Sequence, residues 1–439
     1  MLRHTRMIRI TLAGLIAIGS AVAPVRAQNY VVEDLGTLGG DLSGALSIDS
    51  RGTVVGLSRI VGSTYLHAFL YDGVMNDLGT LGGTQSSARD VNRFDETVGW
   101  SLLPDGTQRA FLHKAGVMTD LGTFGGFSDA RGINDAREIV GSSVTIAGSH
   151  ERAFVWRGEG LVDLGTLGGT ESRAYAINEH SEICGFAQIA SGDLRPFLWR
   201  EGQMIDLGSL GGWSGHAYAL NETGKVVGWS MMIPNSVSHA FLWSEGTLID
   251  LGSLGGNYSA AFGINNLGQI VGASTRPDGV QAAFLWNGIK IVDLNTRIPS
   301  APEWFLSSAS AINDDGRIAG IGVLNGEIHA MRLTPEGLLD VEAPGSAPGL
   351  RLAGAFPNPM RSRTSVRFML PEAADVRLGV YDLSGRRIRA LADRPFPAGG
   401  GEVAWDGRDG HGTAVGAGLY WIRMDALGRT LTSRIAVLR

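Results

Sequence analysis

Apolar and polar residues alternate in short runs along most of this chain, and the runs return at a fixed interval. His239-Ala240-Phe241-Leu242-Trp243 is the clearest example, and equivalent phenylalanines stand at Phe69, Phe111, Phe154, Phe197 and Phe284. Alternation of this kind predicts a half-buried strand with its phenylalanine on one face. A stretch of small residues ending in Ile-Asn or a near variant comes earlier in each unit, as in Ala174 to Asn178. Between the two lies a strand-sized piece with a glycine in every unit: Gly56, Gly99, Gly141, Gly185, Gly228, Gly272 and Gly320. A glycine inside a strand weakens it, so one repeated seven times implies close backbone approach or a bulge. A fourth short run leads into Asp-Leu-Gly, and no long stretch carries a 3.6-residue apolar period with helix caps.

The register of these units is set by Asp-Leu-Gly at Asp34, Asp77, Asp120, Asp163, Asp206 and Asp250, with Asp-Leu-Asn at Asp293. The spacings are 43, 43, 43, 43, 44 and 43 residues. Four strands in each such unit predict a β-propeller blade, so residues 28–335 read as a seven-bladed propeller in an all-β protein. The seventh unit lacks a fourth strand, whereas residues 30–35 form a fourth strand with no three before it. Pairing the two lone edges closes the ring and covers an edge open to aggregation. The repeat resembles the HAF-repeat proteins, a set of extracellular proteins defined by His-Ala-Phe beside Asp-Leu-Gly-Thr-Leu-Gly-Gly. Four units depart from it, with Arg109, Arg152, Arg195 and Ala282 at the histidine position. The resemblance implies an extracellular location and no particular activity.

Residues 336–350 read as a linker rich in Pro, Gly and small residues. Beyond it, non-repeating strands are expected at 365–370, 375–381, 402–405, 418–424 and 430–438, the spacing of a small β-sandwich. Residues 351–439 carry Phe356-Pro357-Asn358-Pro359, Val380-Tyr381-Asp382-Leu383-Ser384-Gly385-Arg386, Trp405-Asp406-Gly407-Arg408-Asp409 and Gly418-Leu419-Tyr420, with Ser433-Arg434 near the end. This set is similar to the Ig-like domain of flagellar hook-capping proteins and to the C-terminal sorting domain of type IX secretion cargo. It implies export or surface attachment through the secretion machinery, by way of residues 351–439.

Composition and charge sharpen this picture. Arg3, Arg6 and Arg9 precede an apolar run over 10–23, and Val25-Arg26-Ala27 offers a cleavage site, so residues 1–27 read as a signal peptide. The run is too short for a spanning helix, and the mature chain is expected to have no transmembrane span. The net charge of −6 becomes −10 without the four arginines of that segment. Residues 351–439 hold 14 Arg against 8 acids, which leaves −16 on residues 28–350, a poor match for nucleic acid. Cys184 is the single cysteine, so no intramolecular disulfide forms, and it stands where other units carry Val or Ala. A small buried core residue is the role that position implies.

The nine histidines lack metal-site spacing, and neither a P-loop nor a nucleophile elbow is present, so no metal or cofactor is expected. The loop Asp406 to Gly412 has too few acids for calcium and reads as a turn. The repeated aspartates read as turn caps, accepting from backbone amides. Candidate ligand contacts fall on the loops between second and third strands: Tyr65, Leu102, Leu103, Met231, Met232 and Ile233, with Trp213 on a Gly-Gly connection. The expectation is a secreted or cell-surface, non-enzymatic binding or adhesion protein whose extracellular ligand is a carbohydrate or a surface protein. A polymer-degrading propeller enzyme and a structural surface-layer component are the alternatives.

Overall fold

The computed structural model describes residues 28–146, 150–233, 237–336, 350–356, 360, 363–382, 385–397 and 399–438. The chain divides into two compact units, Met1–Glu336 and Gly337–Arg439. The expected signal peptide and all but the ends of the expected linker lie outside the described residues, as do parts of the quoted C-terminal landmarks. Each unit is all-β; the first adds one short 3-10 turn, Leu294–Arg297, capped by Asp293.

In the first unit each repeat forms a four-stranded antiparallel sheet, called sheets 1 to 7 in the order of their first strands. Sheet 4 is typical, with Gly168–Ile177, Ile183–Ile189, Leu194–Arg200 and Gln203–Asp206 paired in sequence order. The other first strands are Gly39–Ile48, Ser86–Val91, Gly125–Ile133, Gly211–Leu220, Ser259–Ile264 and Trp304–Ile312. Sheets 1 and 7 are linked through one parallel bridge, Leu42 with Ile328. Sheet 7 has only three strands of its own, and its fourth is Tyr30–Asp34, antiparallel to Glu327–Pro335 with Tyr30 opposite Pro335 and Asp34 opposite Met331. The two lone edges seen in the sequence therefore pair.

The repeated glycine is explained twice over. An added Cβ at Gly185 would overlap the carbonyl oxygen of Arg173 on the first strand, and the other six glycines meet the same carbonyl in their own sheets. At Gly185 the ring of Phe197 would lie 2.9 Å from that Cβ. A register shift follows immediately, between Ala174 and Ala176 in sheet 4 and at the matching place in all seven. Close approach and bulge are both present.

Sheets 1 to 6 bury their phenylalanine completely, as sheet 7 buries the Met331 in its place, and the apolar clusters lie between sheets rather than within them. Val55, Ala68 and Leu70 of sheet 1 pack on Ala88, Val91 and Phe111 of sheet 2. The same pattern joins each sheet to the next through sheet 7. A seventh cluster sets Ala319 and Ala330 of sheet 7 against Ala45, Val54 and Phe69 of sheet 1. Cys184 sits fully buried in the cluster between sheets 4 and 5, and burial pushes its thiol well above the usual range, as suits an inert core residue.

The Ile-Asn ending supplies a polar link between sheets. Asn178 Oδ1 accepts from the amides of His180 and Glu182, capping its turn, while Nδ2 donates to the carbonyl of Asn221 in the next sheet at 3.2 Å. Asn92, Asn134, Asn221, Asn265 and Asn313 donate in the same way, the last to the carbonyl of Asp49 in sheet 1 at 3.0 Å. Asp49 holds the equivalent place in sheet 1 and keeps the turn cap, but a carboxylate has no proton to donate. There Ser47 reaches Asp90 of sheet 2 at 2.7 Å instead, and Asp90 also accepts from the Ile133 amide of sheet 3.

The second unit pairs Arg351–Phe356, Thr364–Leu370 and Gly399–Trp405 in one sheet. The other sheet runs Arg387–Phe396, Ala374–Tyr381, Gly418–Ala426, Arg429–Val437. Val366 and Leu370 of the first and Val376, Val380, Ile422 and Ile435 of the second share one core with Trp405. All five expected strands are present. Two further strands, Arg351–Phe356 and Arg387–Phe396, escape the sequence pattern; the latter holds arginines and a proline, the composition of a protected edge.

Candidate functional site

The first strands of consecutive sheets lie against one another, from sheet 1 through sheet 7 and from sheet 7 to sheet 1. Residues about 43 positions apart are therefore neighbours, and two columns of side chains run across the sheets. One, three residues before the capping Asn or Asp, reads Leu46, Arg89, Arg131, Tyr175, Tyr218, Phe262, Ser310. The other, two residues earlier, reads Gly44, Ser87, Asp129, Arg173, His216, Ala260, Ser308. Every residue of the first column is partly exposed. The fold repeats here, but the chemistry does not: sheets 2 to 5 carry arginines, tyrosines, an aspartate and a histidine, whereas sheets 6, 7 and 1 carry Phe262, Ser310 and Leu46 without charge.

Within sheets 2 to 5 these side chains form one contact network. Arg131 Nη2 lies 2.8 Å from Asp129 Oδ2, and Arg89 Nε stands 3.8 Å from Asp129 Oδ1. Arg173 Nε donates to Glu151 Oε1 at 2.9 Å, and that oxygen also accepts from Ser142. The guanidinium carbons of Arg131 and Arg173 stand 5.1 and 5.9 Å from the Tyr175 ring centre, within cation–π range. His216 stacks on Phe186 at 4.3 Å and lies 5.0 Å from Trp229, whose indole donates to the Tyr218 hydroxyl at 3.0 Å. Tyr175 packs edge-on against Tyr218 at 4.9 Å.

Burial lowers the pKa of the Arg89 guanidinium, and Arg131 and Arg173 add to the effect against the attraction of Asp129. Burial, with Arg173 nearby, takes His216 down to about 4, so its imidazole is neutral at pH 7. Ser87 Oγ, Arg89 Nε, Asp129 Oδ1 and Arg131 Nε are buried without a hydrogen-bond partner, four of the seven such side-chain atoms among the described residues. Polar atoms of this kind are scarce in native cores, and four of them fall together here. The arrangement offers fixed guanidinium forks, hydroxyls and ring faces, a set suited to recognition.

The residues singled out from sequence lie elsewhere. Tyr65 is exposed on the sheet 1 loop, and Leu102 and Leu103 are partly exposed on sheet 2. The latter loop borders a shallow cleft of about 610 Å³ lined by Gly106 to Arg109 and Gly125 to Phe127. Trp213 and Ile233 are exposed on sheet 5 near the partly buried Met231 and Met232. The seven thus occupy three sheets, with sheets 3 and 4 standing between the second group and the third. The aspartates of Asp-Leu-Gly behave as expected: Asp34, Asp77, Asp120, Asp163, Asp206 and Asp250 each accept from the glycine amide two residues on. Four of them also hold the third strand: Asp77, Asp250 and Asp34 through His67, His239 and His329 at 2.9 Å, and Asp163 through Arg152 at 3.1 Å. Where Ala282 lacks that reach, Arg276 bonds Asp293 at 2.7 Å instead. Asp409 Oδ1 likewise closes its own turn on the amides of His411 and Thr413.

None of the first-strand column is among the loop positions that vary most visibly in the sequence, because its variation lies inside a strand whose flanking residues repeat. Comparing the copies position by position along the first strand is the signal that finds it.

Residues 360–429 match the FlgD Ig-like domain family, so the match falls within the second unit. No curated protein matches the chain. Among solved structures, the chain is similar to PorZ of Porphyromonas gingivalis, described as a bacterial surface component of the type-IX secretion system. The identity is 13%, covering 85% of this chain and 73% of that one at a TM-score of 0.29. A triple arginine-to-alanine mutant of AofleA from Arthrobotrys oligospora is 12% identical over 69% of this chain and 90% of that one, TM-score 0.32. Dimeric latent PorU from Porphyromonas gingivalis is 13% identical over 93% of this chain and 34% of its own length, TM-score 0.19. The shown kinship is that of the second unit with the FlgD Ig-like domain.

Proposed function

We propose that the seven sheets close into a seven-bladed β-propeller and that the protein is a non-enzymatic binding protein of the cell surface or extracellular space. The observation that carries the binding reading is the non-repeating Arg, His and Tyr cluster on an otherwise repeating set of first strands. Ring closure is supported by seven apolar clusters joining seven sheets, where an open row would need six, and by the Asn313 link to Asp49. Both carboxylates of the cluster, Asp129 and Glu151, already face arginines, which favours holding a ligand over transferring a proton. The expected signal peptide and the Ig-like unit support export and attachment through the secretion machinery, with the second unit as the handle. Screening the protein against polysaccharides and surface proteins is the test. Turnover of a polymer without measurable binding would overturn it.

A second reading as a polymer-degrading enzyme draws on the same cluster, since Tyr175 and His216 approach within 3.5 Å through Oη and Nδ1. Product formation from a bound polymer would establish it. The surface-layer alternative requires self-assembly, which light scattering detects.

A further inference from the structure

Resting on the binding reading above, we propose that the Arg89–Asp129–Arg131–Arg173 cluster and its neighbouring rings form a binding site for an acidic, carboxylate-bearing saccharide chain. Three arginines face two carboxylates, so the cluster carries one uncompensated positive charge in a body whose net charge is −16. The arginine side chains keep 28%, 20% and 27% exposure for Arg89, Arg131 and Arg173, while Asp129 beneath them keeps 7%. The arginine side chains thus keep partial contact with solvent, while Asp129 keeps little. Arg89 is the least satisfied of the three, with its one acid partner at 3.8 Å, and it is the guanidinium that an incoming carboxylate would complete.

Size and shape narrow the ligand further. The polar side chains span four consecutive sheets, which exceeds the reach of a single small anion. Beside the arginines stand partly exposed rings, Tyr175 and Tyr218, held by each other and by Trp229. A saccharide presents flat C–H faces and hydroxyls along with its carboxylates, and rigid aromatic faces with polar tips suit both. Along the first column the guanidiniums of Arg89 and Arg131 come first and the rings of Tyr175 and Tyr218 follow, with Arg173 beside Tyr175, so a chain lying across the sheets meets cationic groups at one end and rings at the other. Phe262, Ser310 and Leu46 complete the column without charge, which gives the site a direction.

The experiment is calorimetric titration of the full chain with galacturonate hexamers and alginate hexamers, each beside its methyl ester. At low salt the free acids should bind and the esters should bind at least tenfold more weakly. Affinity for the acids should fall as salt rises, because the contacts are ionic. Arg89→Gln should weaken acid binding about tenfold, and Tyr175→Leu should weaken acid and ester alike; circular dichroism verifies folding of both. Should either variant misfold, the ester comparison and the salt series on the unaltered protein decide the matter alone. Equal binding of ester and acid overturns the acidic assignment and leaves the binding reading standing. Failure of every hexamer to bind overturns the saccharide assignment, and the wider ligand screen then judges the binding reading separately. Shortened hexamers by chromatography uphold acid recognition and overturn the non-enzymatic reading.

Discussion

Changing Asn178 to Asp tests the link between sheets with almost no change in shape. The turn cap survives, since Oδ1 still accepts from the His180 and Glu182 amides at 3.0 and 2.9 Å. The donor is lost: Nδ2 now reaches the Asn221 carbonyl at 3.2 Å and Glu182 Oε2 at 2.8 Å, and a second oxygen would face both acceptors. Losing one neutral and one charge-assisted bond removes about 2–3 kcal/mol. Placing a buried charge beside a carbonyl and a carboxylate brings the expected cost to about 3–5 kcal/mol. Asp49 tolerates the same side chain because Arg51 Nε sits 2.8 Å away, whereas residue 180 is a histidine engaged with Glu222 at 3.2 Å. The new carboxyl should titrate above the ordinary Asp value, so the cost is full at pH 7 and fades as pH falls through that raised value, where the protonated acid can donate again. Urea unfolding of the repeat unit at pH 7 and pH 4, variant against parent, reads both effects. A loss below 1 kcal/mol at pH 7, or a deficit independent of pH, refutes the argument.

Asp49→Asn restores the missing donor toward the Asn92 carbonyl and gives up a pair whose arginine is half exposed; a gain of about 1 kcal/mol is expected, and a loss of that size counts against the belt of links. Gly185→Ala forces a methyl into the Arg173 carbonyl and should cost more than about 3 kcal/mol or prevent folding, read as a lower melting temperature or loss of soluble protein. Tyr30 is fully buried with its hydroxyl unpartnered, so Tyr30→Ala should cost about 3–5 kcal/mol while Tyr30→Phe gains about 1. Burial takes its phenol to about 12, so the neutral ring's contribution is whole below pH 10 and lost between 10 and 12. Tyr30→Phe should resist alkaline unfolding across that window. For His216, lowered to about 4 by burial, the contribution is whole above pH 6.5 and fades as pH falls to 4, on the order of 3 kcal/mol. His216→Gln should flatten the acid limb of the stability curve, and an unchanged limb contradicts it.

Much of this protein was determined by sequence alone, because its repeat states the local rules seven times. Alternation in the His-Ala-Phe runs placed the strands, the recurrent glycine announced a carbonyl too close for a Cβ, and the Asp of Asp-Leu-Gly announced its turn. Even the pairing of residues 30–34 with the last repeat was legible, since each had an edge that only the other could satisfy. Such features depend on contacts within a unit or on a missing strand, which one chain displays directly. The second job of the asparagines was decided by tertiary structure, because a donor's partner lies some 43 residues away in the next sheet. The same is true of the Arg89, Arg131, Arg173 and Tyr175 cluster. Along any one strand these residues read as an ordinary partly exposed face. Only when first strands pack side by side do separate single residues become neighbours, and charges scattered along the sequence then act on one another at a few ångströms.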